Sequence, residues 1–264
     1  MKKHLLLWLT MLILLFSNAV YVSASEESES NVVKSGTCGT DINYTFTDDG
    51  TLTIRGTGEL PKIDDMKEYK DSVTNVIIED GITGIQESVF YGWDNLVSVA
   101  MPESVTSIAR EAFYECHNLE KINLPDGITS IGVMTFVRCE KLKNISLPKC
   151  LKKIEWDTFR DCGSLENIEI PESVISIESD AFFGCKNLHD IAIPNSVTFI
   201  GMWAFSDSGL TSIIIPDSVT DMESSVFSCC ENLESVVYSK NLLEIPDSTF
   251  NCCHNLTNVT ISGK

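Results

Sequence analysis

Five residues late in the chain, Cys229, Cys230, Cys252, Cys253 and His254, are of the types that hold zinc. Cys116-His117-Asn118 and Cys253-His254-Asn255 spell the three side chains of a cysteine-protease site. Such a site needs a thiol and a base brought together from separate segments, so neighbours in sequence do not build one. Acids at Glu103, Asp126, Glu172 and Asp217 recur at a fixed spacing, as a calcium-holding column would. Lys149 and Asn195 interrupt that column, which reads as a solvated turn edge. The pairs Asp48-Asp49 and Asp64-Asp65 fall in a turn and a link, with nothing to place them across a cleft. The chain shows no G-x-S-x-G, H-E-x-x-H, phosphate loop or dinucleotide fingerprint. It is read as non-catalytic, with no cofactor and no metal.

The spacing of those cysteines has a structural source. Phenylalanines fall at Phe90, Phe113, Phe136, Phe159, Phe182, Phe205, Phe227 and Phe250, 23 residues apart except for one step of 22. Cys116, Cys139, Cys162, Cys185, Cys230 and Cys253 all stand three places after a phenylalanine. A column of small, soft, buried thiols explains them. The repeat therefore accounts for Cys230 and Cys253, and a stack sets them in a row rather than a tetrahedron. Cys229 and Cys252, one place earlier in adjacent repeats, are the best candidates for a disulfide. Cys38 and Cys150 have no evident partner, and His117, His189 and His254 read as surface polar residues.

Each repeat has four apolar stations: V-x-x-I (Val105, Ile108), F (Phe113), L (Leu119) and I-x-L (Ile122, Leu124), closed by Pro125. The last pair alternates with period two and predicts a short strand. Proline ends it, having no N–H for the next ladder bond. Residues 109–113 are too few for a helix and predict a helical turn. One unit of 23 residues cannot bury four stations, but stacked units can, with the strands pairing in parallel. The fold class expected is a β-rich solenoid with one strand and one helical turn or loop per repeat.

The pattern x-V-T-S-I-x-x-x-A-F-x-x-C-x-N-L-x-x-I-x-I-P resembles the BspA-like leucine-rich repeat family of cell-surface proteins. Residues 35–60, SGTCGTDINYTFTDDGTLTIRGTGEL, also resemble the segment that often precedes these repeats. The resemblance implies a leucine-rich repeat solenoid acting as a surface antigen or adhesin, in a family associated with host matrix proteins and other cells.

The N-terminal segment makes the same sense residue by residue. Tyr44 and Phe46, then Leu52 and Ile54, alternate with polar residues around Asp48-Asp49-Gly50, predicting a β-hairpin. Ile63, Met66 and Tyr69 are inward candidates in the link that follows. Val73, Val76 and Ile78 repeat the last stations of a repeat, so 73–80 is half a unit. Residues 25–72 then form linker, hairpin and cap, and 81–264 form eight repeats. Residues 1–24 read as a secretory signal: Lys2 and Lys3, an apolar run from Leu5 to Val22, and cleavage between Ala24 and Ser25. The expected address is secreted or cell-surface, with no membrane insertion once the signal is removed.

The formal net charge is −19, with 19 cations against 38 anions. That excludes a nucleic-acid partner, which needs a positive surface against phosphate. A protein or cell-surface ligand remains, and two surfaces are candidates for it. Val133, Met134, Trp156, Met202 and Trp203 stand where other repeats have polar residues before A-F, and would form an apolar ridge on an exposed turn. On the concave strand face the residues between the stations are small and polar, becoming apolar at Ile214 and Val237. Repeat 8 leaves Leu256, Val259 and Ile261 without a cover, which leaves two outcomes, fraying of that coil or weak self-association through it.

Overall fold

Three ladders run along the stack of coils, and each is written by a different part of the repeat. In the computed structural model, which describes residues 30–263, coils 1 to 8 run over 81–103, 104–126, 127–149, 150–172, 173–195, 196–217, 218–240 and 241–263. Residues from Asn31 on form one compact unit. The expected signal segment, including Ala24 and Ser25, lies outside the described residues.

The I-x-I stations form the first ladder. Val76, Val99 and Ile122 pair in parallel along one face, as do Ile145 with Ile168 and Ile213 with Val236 and Val259. Alternation sends these side chains inward and their neighbours to solvent. The prolines end each strand and then accept from the next V station. Pro125 takes the N–H of Ile128 at 3.1 Å and Pro171 that of Val174 at 3.0 Å.

The V-x-x-I stations form a second ladder that the sequence did not reveal as strand. Gly58–Leu60, Ile82–Ile85, Ser107–Ile108 and Ser130–Ile131 pair in parallel, and so do Lys153–Ile154, Ser176–Ile177, Phe199–Ile200 and Asp221–Met222. Two residues per coil are too short a run for period two to register.

The segment before the phenylalanine is not a helical turn. Its N–H groups reach the next coil: Phe113 donates to Thr135 at 3.0 Å, Phe136 to Thr158 at 2.9 Å and Phe159 to Ala181 at 2.9 Å. Two residues per coil take left-handed conformations there, as at Asp157 (φ 55) and Asp161 (φ 56). A helix cannot continue through them. The aromatic rings behind this turn stack in one column with centroids 5.3–5.9 Å apart, from Phe90 to Phe250.

The cysteine column is a row of hydrogen-bond donors. Each thiol points at the carbonyl of the phenylalanine one coil back: Cys116 to Phe90 at 3.1 Å, Cys139 to Phe113 at 3.3 Å, Cys162 to Phe136 at 3.1 Å, Cys185 to Phe159 at 3.2 Å. Burial pushes these four thiols up, away from the reactive thiolate. Ser208, the serine of the column, meets instead the Cys230 sulfur one coil on at 3.3 Å, while Cys230 itself bonds the Phe205 carbonyl at 3.1 Å.

The N-terminal cap is the expected hairpin with one strand more. Ile42–Thr47 and Thr51–Gly56 pair antiparallel around Gly50, whose φ of +85 a side chain would disfavour. Val32–Thr37 adds to the outside of the hairpin. Its Val32 and Val33 are both exposed, so it carries no alternation for a sequence reading to find. The inner hairpin strand pairs in parallel with Asn75–Ile78, which joins cap and solenoid in one ladder. Ile63 and Met66 are buried in the link and Tyr69 packs on the core.

Candidate binding surfaces

The turn ridge presents two tryptophans to solvent. Trp156 is 57% exposed and Trp203 is 43% exposed. Val133, Met134 and Met202 are half-buried. The five do not merge into one patch. Met134 and Trp156 lie on adjacent coils, joined by the Met134 N–H on the Trp156 carbonyl at 2.9 Å. Trp203 stands two coils further on, beyond Ser179 and Asp180, and occupies the next repeat position along. Val133 turns towards the V-x-x-I ladder, lining a hollow with Ile108 and Ile131, while Met134 lines another with Arg138 and Arg160.

Trp203 also sits in a left-handed conformation, φ 55, where other coils have Asp157, Asp180 or Ser225. A bulky residue there costs ~1 kcal/mol. Trp156 donates its Nε1 to Glu178 at 3.4 Å and otherwise faces water. Replacing both by serine is expected to leave the melting temperature within about 2 °C of wild type in a thermal scan.

The strand face differs along its length. Ile214, 64% exposed, and Val237 are direct partners in the parallel ladder and form an apolar end. Towards the middle, Ser98, Ala100, Lys121, Asn123, Lys141, Lys143 and Asn144 line an open hollow of about 800 Å³. A second, of about 780 Å³, follows over Asn144, Ser146, Asn167, Glu169 and Asp190. Lys121 falls on the strand face the sequence predicts, whereas Lys141 and Lys143 were not singled out there. Counting charge coil by coil instead of over the whole chain would have found those two. Coil 3 holds Arg138, Lys141, Lys143 and Lys149 against Glu140 alone, and it is the one coil of the eight with more cations than anions.

The residues with catalytic letters are used to tie coils together. His117 Nδ1 meets Asp94 at 2.7 Å, while the neighbouring Cys116 thiol is turned into the core. His189 Nδ1 meets the Gly209 carbonyl at 3.0 Å. Cys229 and Cys252 stand side by side at equivalent left-handed positions of coils 7 and 8. The Cys252 thiol is pushed up by its hydrogen bond to Cys229.

The repeat, its three ladders and its cap have a counterpart among known families. Residues 62–168 and 152–264 match the BspA type Leucine rich repeat region, in six copies. The chain belongs to the BspA-type leucine-rich repeat family. Two solved structures are similar to it. A leucine-rich repeat protein from Bacteroides ovatus is 28% identical, with a TM-score of 0.60 over 84% of this chain and 75% of that one. A leucine-rich repeat protein from Eubacterium ventriosum is 25% identical, with a TM-score of 0.51 over 86% of this chain and 78% of that one. A comparison with curated proteins returned no match. Among the described residues no helix is long and apolar enough to cross a membrane.

Proposed function

We propose that the chain is a secreted or surface-exposed, non-catalytic binding module that recognises another protein in the manner of an adhesin, host matrix proteins being the first ligands to test. The exposed tryptophans carry this reading. Trp156 and Trp203 present large exposed aromatic surfaces, and Trp203 lies in a backbone conformation that disfavours it. Tryptophan is the residue most enriched at interface hot spots. Residues 25–264 should bind at least one member of a panel of matrix proteins, mucins and bacterial cells in a saturable way. The Trp156→Ser/Trp203→Ser variant should lose about tenfold or more, since a hot spot contributes ~2 kcal/mol or more. A chain that binds nothing in the panel would instead act as a spacer within a larger surface assembly.

Self-association belongs to the same reading. The outer side of coil 8 exposes Leu243, Ile245, Val259 and Ile261, and its strand Asn258–Ile261 has a neighbour on one side only. A second copy laid on this edge would pair its free backbone groups. Light scattering over a concentration series should show mass rising above the monomer, and Val259→Lys should abolish the rise. A constant monomer mass in both proteins would remove self-association.

A further inference from the structure

The middle of the strand face is polarised, in a chain whose net charge is strongly negative. Lys121 on coil 2 and Lys141 and Lys143 on coil 3 point into the first hollow, where Glu120 is the single acid. Lys143 reaches Glu166 only at 3.9 Å, and neither Lys121 nor Lys141 has an ion-pair partner among the described residues. In the second hollow Lys149 is already paired with Asp126 at 2.8 Å. Glu169 on coil 4 and Asp190 on coil 5 are left as its free charges. Positive and negative groups therefore lie along one trough, two coils apart, which is about 10 Å at the ~4.8 Å spacing of strands.

We propose that this trough is a second recognition site, distinct from the tryptophan ridge, and that it takes an extended polypeptide segment with acidic side chains over coils 2–3 and basic side chains over coils 4–5. The polypeptide class rests on the protein-binding reading above, while the charge order comes from the trough itself. Ten ångströms is about three residues of extended chain, so the two charged blocks of the ligand stand about three residues apart. A uniformly anionic glycan fits less well. It would meet Glu169 and Asp190 as well as the lysines, and the trough has no aromatic ring for sugar stacking. Exposed lysines attract carboxylates as point charges and lose that attraction as salt rises.

Fluorescein-labelled peptides of one composition test the site by anisotropy at low salt. One peptide carries an acidic pair and a basic pair three residues apart, and the other alternates the same charges. The blocked peptide should bind residues 25–264 about tenfold more tightly than the alternating one, since two or three exposed charge pairs together give that factor. Lys121→Glu/Lys143→Glu should lose about tenfold. Adding Glu169→Lys and Asp190→Lys reverses the trough without abolishing its polarity and should restore binding of the blocked peptide. All four side chains are solvent-facing, and circular dichroism checks the fold of each variant. Equal binding of the two peptides, no rescue by the fourfold variant, or equal or tighter binding of a heparin oligosaccharide would each overturn the proposal. These outcomes are independent of the panel screen and of the tryptophan variant, so the protein-binding reading can stand where the trough fails.

Discussion

Phe159→Ala should destabilise the solenoid by about 3–5 kcal/mol, the cost of deleting a buried aromatic ring. The Phe159 ring has no solvent exposure and is sandwiched, 5.5 Å from Phe136 and 5.4 Å from Phe182, nearly parallel to both. Neighbouring coils cannot collapse into the gap, because coil 4 is tied to coil 3 by the Ile145–Ile168 ladder and to coil 5 by the Ile154–Ile177 ladder, and to both by the turn bonds beside the ring. Each coil contacts only its neighbours, so the damage should also split unfolding into two transitions, one on each side of coils 3 to 5. Chemical denaturation followed by fluorescence and circular dichroism measures both effects. A loss below about 1 kcal/mol, or a single unchanged transition, would contradict the stacked column. Phe250→Ala is the comparison. That ring ends the column, is only half-buried, and should cost distinctly less.

Gly209→Ala should cost about 1–3 kcal/mol although it adds one methyl group. Coil 6 is the coil that lost a residue, between Phe205 and Leu210. Its ladder partners shift accordingly, from Phe199 opposite Asp221 to Ser212 opposite Ser235. The shortened turn closes by running against coil 5. The Gly209 N–H donates to Cys185 at 3.0 Å, and a Cβ there would lie inside the van der Waals radius of the Lys186 carbonyl oxygen. Backbone cannot swing aside as a side chain can, so the methyl would push coils 5 and 6 apart. Gly163→Ala is the control, because a Cβ at that site meets nothing within 4 Å. Thermal melts should show the Gly209 variant falling by several degrees and the Gly163 variant holding near wild type. Equal melts would mean that the short coil closes in some other way.

The amino-acid sequence alone determined the period, the inward stations and the family. The 23-residue spacing of Phe90 to Phe250 and the alternation of Ile122 with Leu124 are local signals. A solenoid repeats local contacts, so what is true of one coil is true of its neighbours. The hairpin around Asp48-Asp49-Gly50 was legible for the same reason: its turn chemistry and its alternation lie within fifteen residues. The burial of the cysteine column also followed from spacing. What the thiols do there, each bonded to a phenylalanine carbonyl one coil back, did not, because donor and acceptor are 26 residues apart. Three further features were decided only by stacking. The Ser-Ile ladders are too short to carry a period. The turn before each phenylalanine, too short for a helix, read as one helical turn, and only the bonds to the next coil and the left-handed residues show otherwise. The charge order of the strand face was hidden by the net value of −19, which sums over the chain and carries no position. Lys121, Lys141 and Lys143 lie up to 22 residues apart, and they share a hollow because one turn of the solenoid returns the chain to the same face.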